Sequence, residues 1–271
     1  ANLTLVTDNR WTVGPCPILK NDIYKGEIYD ARLEEQSWSR AGHVLPWPKV
    51  VPGGSPAAVS KAVISPQSMN PIRAAGLLKP TFVTKAGNAT LLDFGQNIAG
   101  WLRLSIQSCS RGTAVTVRHA EFLVENRSAL YVGNLRSATA TDVYICKGGP
   151  VLHEPSFTYH GFRYVEISMQ GNASWSWLEQ RARVVHSEVK ERGWLQMEND
   201  ILMRTQSAIR WTQLDNLHSV PTDCPQRDER QGWMADASVS AEQAIHNFDM
   251  QSFYATWLQT IVDAQNSELA K

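Results

Sequence analysis

The sequence predicts a multidomain protein in which β-sheet domains precede α-helices, and three observations lead to this fold class. Short apolar pieces lie between Pro, Gly and Trp residues up to about Ser60, apolar and polar residues alternate between Pro66 and Arg183, and a helical period follows Arg192. At 271 residues the chain can form one large domain or two to three ordinary ones. We place the three units at residues 1–60, 61–187 and 188–271.

The first unit, residues 1–60, reads as short strands and loops. Ile28 to Leu33 is one of its apolar pieces, and prolines punctuate the stretch from Pro46 to Pro56. The second unit alternates clearly, since from Leu102 to Gln107 the even positions are apolar and the odd positions polar. The same pattern recurs at 113–118 and 162–167 with glycine-containing turns between, which predicts an antiparallel β-sandwich.

The third unit predicts two helices of roughly 20 to 25 residues. In the first helix, apolar residues recur at Met197, Ile201, Ala208 and Ile209, and in the second at Phe253, Trp257 and Ile261. Because Pro221 and Pro225 prevent a continuous helix, the segment 222–232 between them is predicted to be a loop.

That loop and the residues after it are the most informative part of the sequence. Between Thr222 and Asp236 lie four carboxylates, two arginines and a tryptophan. Burying so many opposed charges is costly unless each is paired, so they should line a polar cleft. A cleft with several carboxylates and a flat aromatic face suits a sugar.

Composition limits the classes of partner. The formal net charge is zero, without a basic tract or acidic tail, so nucleic acid and anionic membrane surfaces are not expected as partners. No apolar run approaches the roughly 20 residues of a membrane span. The motifs GxSxG, HExxH and the glycine-rich phosphate loop do not occur, which leaves esterase, zinc-protease and nucleotide-binding interpretations without support.

The four cysteines show no zinc-ligand spacing, and no metal site is predicted from them. Cys109 and Cys146 could form a disulfide within one domain, or both could be buried free thiols. Four glycosylation sequons, at Asn2, Asn88, Asn126 and Asn172, would be used if the protein is secreted by a eukaryote; otherwise a cytoplasmic location is expected.

The segment 223–236, DCPQRDERQGWMAD, resembles the catalytic motif of the inverting bacterial-type α-L-rhamnosidases, glycoside hydrolase family 78. Five further segments resemble the β-domains that precede that motif in the family, in the same order along the chain: 21–32, 93–101, 119–121, 134–136 and 157–164. The resemblance implies that residues 1–60 end an N-terminal β-domain, that 61–187 are a β-sandwich, and that 188–271 are the first helices of an incomplete (α/α)6 barrel.

The resemblance also implies roles for five residues. Glu229 matches the general acid that protonates the leaving glycosidic oxygen. Asp223, Arg227, Trp233 and Asp236 match residues of the rhamnose subsite, in which the acids accept sugar hydroxyls and the tryptophan packs on the apolar face of the ring.

A general acid should have a raised pKa, through nearby carboxylates and restricted solvent. Asp223, Asp228 and Asp236 could raise the pKa of Glu229, whereas Arg227 and Arg230 would lower it, and the residue types leave that balance open.

Inverting hydrolysis also needs a second carboxylate, a general base roughly 6.5 to 9.5 Å from the acid. In the family this base comes from a later part of the barrel, so neither Glu242 nor Glu268 is assigned the role. We therefore expect a fragment of a longer protein whose region from about residue 193 onward is mobile or aggregation-prone in isolation.

The function implied is removal of terminal non-reducing α-L-rhamnose from a rhamnose-containing glycoside or polysaccharide. The alternative is a carbohydrate-binding or vestigial short form without catalysis. No cofactor is expected, although some relatives bind calcium in the N-terminal β-domain. Asn21 and Asp22 could belong to such a site or could simply form a turn.

Overall fold

The computed structural model describes residues 6, 8–51, 66–170 and 180–269, and of 266–269 only the backbone. The sequons at Asn2 and Asn172, and part of the 46–56 stretch, lie outside these residues. The described strands are β1 (Ile18–Asp22), β2 (Gly26–Asp30), β3 (Ile72–Leu78), β4 (Phe82–Ala86), β5 (Ala89–Cys109), β6 (Ala114–Ala120), β7 (Phe122–Leu123), β8 (Leu130–Tyr131), β9 (Thr141–Ile145), β10 (Gly149–His153), β11 (His160–Met169) and β12 (Arg181–Ser187).

Ten of these strands form one sheet, in the order β1-β2-β9-β6-β11-β5-β12-β3, with β4 and β10 also paired to β5. β7 and β8 form a separate small hairpin. The β-then-α fold class is confirmed, with one refinement: β2 and β9 are parallel, while the other described pairs are antiparallel. Through this pair, strands from residues 1–60 extend the sheet of the second unit, and the boundaries at 60 and 187 stay predictions.

The long strand β5 curls the sheet around its core. Its first half pairs with β4 and β11, and its second half pairs with β12 and β10. Both β11 and β12 meet β5 at Gly100, where an added Cβ would lie 1.8 Å from the carbonyl oxygen of Arg183. Only glycine allows this approach of two backbones.

The alternation read from the sequence matches burial in the sheet. Leu102, Leu104 and Ile106 are buried, and they join a core that also contains Phe162 and Val165. The core includes a disulfide between Cys109 and Cys146, so the structure selects the bridged alternative for these cysteines. Cys16 and Cys224 are free thiols.

The prediction of two long helices is wrong, because the described residues form three shorter ones: α1 (Asp200–Asp215), α2 (Met234–Asn247) and α3 (Gln251–Leu269). α1 begins after Asn199, whose side chain accepts hydrogen bonds from the backbone N–H groups of residues 201 and 202. α2 ends at Asn247, and the next residue, Phe248, is extended and forms a β-bridge with Glu191. This distant backbone pairing interrupts the helical period.

The helices bury their apolar residues only in part. Phe253 and Trp257 are buried as the period predicts, but Ile201 is 74% exposed. A small cluster joins the helices to the segment after β12, formed by Val189, Leu217, Ala244, Phe248, Met250 and Phe253. No helix among the described residues is long and apolar enough to cross a membrane.

Candidate functional site

The charged segment is a loop, as the sequence predicts. It lies between the end of α1 at Asp215 and the start of α2 at Met234. Two hydrogen bonds close it: the backbone N–H of Asp223 donates to the Gln231 carbonyl, and the backbone N–H of Gln231 donates to the Asp223 side chain. The loop rests on the sheet so closely that a Cβ added at Gly161 would come within 2.8 Å of Pro225 and 2.9 Å of the Gln226 nitrogen. The loop is therefore placed by the β-sheet as well as by its own helices.

Arg230 anchors the loop to the sheet. Its guanidinium donates hydrogen bonds to the carbonyl oxygens of Ile23 at 2.8 Å and Tyr159 at 2.6 Å, and also to two carbonyls of the loop itself. It lies over the rings of Tyr24 and Tyr159, and the residue is only 7% exposed. Burial lowers the pKa of Arg230. The sequence suggested that Arg230 would act on Glu229, but its side chain instead fixes the backbone.

Glu229 is held by three donors. Oε2 accepts hydrogen bonds from Arg227 Nε at 2.9 Å and Arg136 Nη1 at 3.0 Å, and Oε1 accepts one from the indole N–H of Trp233 at 3.0 Å. The hydrogen bonds from Arg227 and Trp233, with the charges of both arginines, lower the pKa of Glu229. The balance that the residue types left open thus falls toward a lowered pKa in this structure, because two cations face the carboxylate.

Arg227 links Glu229 to Asp223. Its Nη2 donates to Asp223 Oδ2 at 3.0 Å, while Asp223 Oδ1 accepts the backbone N–H of Gln231 at 2.8 Å. The Asp223 side chain is only 3% exposed, so both of its oxygens are engaged within the loop. Its predicted role as an acceptor of sugar hydroxyls stays a prediction.

Trp233 and Asp236 lie on the solvent side of the loop. Trp233 precedes α2 and is 49% exposed, and Asp236 is exposed in the first turn of α2. Asp236 and Asp223 border a cleft of about 500 Å³ between α1 and α2. The structure thus joins Asp223, Arg227, Glu229 and Trp233 in one hydrogen-bonded cluster, with Asp236 beside it.

Three residues of the β-region, by which we mean β1 to β12 with the loops between them, contact Glu229 or Asp228, and the sequence did not assign them to the site. Arg136 pairs with Glu229, Ser137 donates its backbone N–H and its hydroxyl to Asp228, and Tyr24 donates its hydroxyl to the Glu229 carbonyl at 3.0 Å. One feature of the sequence could have pointed to them: Tyr24 lies in the segment 21–32, and Arg136 and Ser137 lie in or beside the segment 134–136, both of which resemble the family. Both segments are far from the loop in sequence, so their contact with it could not be read from the chain.

Another carboxyl, Asp215 at the end of α1, lies buried between the helices and the sheet. Its Oδ1 accepts the backbone N–H of Ala99 at 2.9 Å, and the residue is 4% exposed. Desolvation raises the pKa of Asp215 to about 8. The negative charge of Glu121 raises this pKa further, whereas the hydrogen bond from Ala99 lowers it.

Two groups of described residues have metal-ligand atoms within 4.8 Å of one another, and neither resembles a good site. One is Asp223, Cys224 and Glu229, whose two carboxylates are already paired with Arg227. The other is Asp142 with His119 and His160, whose rings stack with centroids 4.3 Å apart. A metal lies near the plane of each imidazole that binds it, which stacked rings do not allow for one ion.

The absence of a cofactor, with calcium near Asn21 and Asp22 as the lesser alternative, stays a prediction. Oδ1 of Asp22 accepts the backbone N–H groups of Tyr24 at 2.9 Å and Lys25 at 2.8 Å, which closes the turn between β1 and β2. These contacts match the ordinary turn that was the alternative interpretation.

Comparison with known families places three adjoining matches on the chain. Residues 1–76 match the α-L-rhamnosidase N-terminal domain, 84–188 the bacterial α-L-rhamnosidase concanavalin-like domain, and 190–270 the bacterial α-L-rhamnosidase six-hairpin glycosidase domain. An α-L-rhamnosidase of Streptomyces avermitilis is 38% identical over 262 residues, which are 95% of this chain and 25% of that protein. The chain thus spans about a quarter of this relative.

Solved structures give the same result. The α-L-rhamnosidase of Dictyoglumus thermophilum superposes with a TM-score of 0.88 at 39% identity, over 96% of this chain and 29% of that one. The Streptomyces avermitilis α-L-rhamnosidase complexed with L-rhamnose gives a TM-score of 0.86 at 36% identity, over 95% of this chain and 25% of that one. The likeness therefore covers all three units.

Proposed function

Because the chain belongs to the bacterial-type α-L-rhamnosidase family, we propose that it forms the acid-bearing part of a glycoside hydrolase. The proposed enzyme removes terminal non-reducing α-L-rhamnose from a rhamnose-containing glycoside or polysaccharide, with inversion at the anomeric carbon. Relatives with this named activity, one of them complexed with L-rhamnose, support the substrate class.

In the proposed reaction Glu229 donates its proton to the glycosidic oxygen as the bond to the sugar breaks. Asp223, Arg227 and Asp236 line the rhamnose subsite, and Trp233 packs on the sugar. Water attacks from the opposite face with the help of a general base, which in inverting enzymes lies roughly 6.5 to 9.5 Å from the acid. We assign that base to none of the described residues.

The observation that carries the proposal is the pairing of Trp233 with Glu229. The indole N–H donates to Glu229 Oε1 at 3.0 Å, and about half of the tryptophan surface, 49%, is exposed. An exposed aromatic face beside a carboxyl group is suited to place the apolar face of a sugar next to an acid. Charged residues alone, without an exposed aromatic face such as that of Trp233 beside them, would not indicate a sugar as the ligand.

The test uses a protein of the relatives' full length that contains this chain, beside its Glu229→Gln variant. Rates are measured on an aryl α-L-rhamnoside and on a natural rhamnosyl disaccharide. An aryl leaving group needs less protonation, so the variant should lose much more rate on the disaccharide than on the aryl substrate. Equal losses on both substrates would remove the general-acid assignment.

The alternative, carbohydrate binding without catalysis, draws support from one observation. Glu229 is paired with two arginines, which favours its ionised form, and an ionised carboxylate cannot act as an acid. Rhamnose binding by the full-length protein without hydrolysis of either substrate would favour this alternative.

A further inference from the structure

We infer that the segment Asn134–Ser137 of the β-region is a clamp on the acid-bearing loop, and that Arg136 is a positioning residue for Glu229. The inference rests on the proposed function, in which Glu229 is the acid. The new element is that Arg136, a side chain outside the helical unit, holds Glu229 in place.

All four residues of the clamp are engaged. Asn134 donates to Glu121 Oε2 at 3.0 Å, and Leu135 is buried to 1% exposure in a small cluster with Ala138 and Ala140, against which Tyr24 packs. Arg136 reaches Glu229 Oε2 at 3.0 Å, and Ser137 donates twice to Asp228. The clamp is thus fixed to the β-region at one end and holds two consecutive carboxylates of the loop at the other.

The backbone of Arg136 supports a special role for this position. Its φ of 56° and ψ of −118° are unfavourable for a residue with a side chain. Such strain persists only where the surroundings enforce it, and it concentrates at functional sites. Here the buried Leu135 on one side and the Ser137–Asp228 hydrogen bonds on the other enforce it, and the Arg136 side chain reaches the acid.

The two arginines on Glu229 differ in how firmly they are held. Arg227 is also bound to the nearly buried Asp223, and its side chain is 28% exposed. The Arg136 side chain is 56% exposed, and its other carboxylate neighbour, Asp228, lies 4.0 Å away. Arg136 is therefore the less firmly held of the two cations on Glu229, and its charge opposes protonation of this carboxylate.

The other charged groups around Glu229 do not replace the positive charge that Arg136 places on it. Asp228 accepts two hydrogen bonds from Ser137 and lies 4.0 Å from Arg136, and Asp223 is paired with Arg227. The charge of Glu121 also acts on the Arg227 side, and the buried Arg230 points toward the sheet carbonyls. Arg136 is the charge that the β-region places directly on the acid.

The test is a pH titration of Glu229 in this chain, followed by NMR of carbon-13-labelled glutamate carboxyl groups. The Glu229→Gln variant identifies the signal. We expect Arg136→Gln and Arg136→Gly to raise the titration midpoint of Glu229 by roughly half a pH unit, and Arg136→Lys to restore most of the wild-type value. Glycine tolerates the positive φ, so Arg136→Gly removes the guanidinium while relieving the backbone, and it remains informative if Arg136→Gln misfolds.

The matched control is Arg127→Gly, since Arg127 is also an arginine with positive φ, 57°, in the β-region. It should leave the Glu229 midpoint unchanged. An unchanged midpoint in a folded Arg136→Gly chain would overturn the inference, as would a shift of equal size in Arg136→Lys. This titration needs no catalysis, so a full-length protein that cleaves no rhamnoside would defeat the proposed function without altering the result.

Discussion

The sheet and the helices of this chain differ in how much of their apolar surface they bury. Among the described residues, the sheet encloses a cluster of eighteen buried side chains with a disulfide, whereas the helices share a cluster of six with the segment that precedes them. Trp194, Ile201 and Val239 in the helical unit are each more than 70% exposed, at 83%, 74% and 85%. The loop that carries Glu229 lies in the unit with the smaller core.

That difference shows where the order of the site comes from. The loop takes its main anchors from the β-region, through Arg230 on the carbonyls of Ile23 and Tyr159 and through the Asn134–Ser137 clamp. The helices supply the chain that carries the loop, and the β-region supplies the surface that shapes it. The predicted mobility of residues from about 193 onward stays a prediction, and it should affect the outer helix faces more than the loop.

The largest expected effect comes from matched truncations in the two cores. Phe162 and Phe253 are both fully buried, one in the sheet and one in α3. Phe162→Ala should lower the free energy of unfolding by about 3–5 kcal/mol, measured by urea denaturation. Phe253→Ala should speed proteolysis of the helices while the denaturation midpoint of the sheet stays in place. If Phe253→Ala lowers that midpoint as much as Phe162→Ala does, the two cores form one cooperative unit and the comparison fails.

The next effect concerns the disulfide, which joins the last residue of β5 to the residue that follows β9. It joins residues separated by 37 positions, and removing it through Cys109→Ala with Cys146→Ala should cost about 3–4 kcal/mol of unfolding free energy. Hydrogen exchange should accelerate in β5, β6 and β9 and change little in α2 and α3. Cys16→Ala, at an exposed free thiol, is the control and should leave both measurements unchanged. Equal acceleration in the helices would show that their stability depends on the sheet.

The smallest expected effect is a change in the pH dependence of stability at Asp215, where α1 contacts the sheet. Burial raises its pKa from 3.8 to about 8 in the folded chain, so the folded state retains a proton that the unfolded state releases. The stability from this group is therefore complete below about pH 4 and falls as pH rises toward 8. Asp215→Asn keeps the acceptor for Ala99 and should be more stable than wild type by at least about 1 kcal/mol at pH 8.

Thermal denaturation between pH 4 and 8 measures this difference. Asp263→Asn, at an exposed position of α3, serves as the control and should follow the wild-type pH dependence. A parallel pH dependence for wild type and Asp215→Asn would mean that the carboxyl is already ionised in the folded chain.

Local patterns in the sequence predicted the features that depend on neighbouring residues. Alternation located Leu102, Leu104 and Ile106 in the core, and Pro221 and Pro225 located the loop, because each signal lies within the element it describes. The hydrogen-bonded cluster around Glu229 was predictable for the same reason, because its members lie in one short segment: Asp223, Arg227, Glu229 and Trp233. The family resemblance added the roles of these residues.

Features that depend on distant residues were not predictable. The break at Phe248 arises from pairing with residues 190–193, and nothing in the helical period signals it. The parallel pairing of β2 with β9 has no local signature either. The lowered pKa of Glu229 depends in part on Arg136, 93 residues earlier, so residue types within the loop could not give its direction.

The anchor formed by Arg230 also fixes an order of events during synthesis. Its hydrogen bond to the Ile23 carbonyl joins residues 207 positions apart. At about 5–20 residues per second, the ribosome needs roughly 10 to 40 s between making the first partner and the second. During that interval the nascent β-region can pair its strands, while the carbonyls of Ile23 and Tyr159 still lack their guanidinium partner. The loop that carries Glu229 is therefore completed after the β-region, which has had time to pair its strands before the arginine arrives.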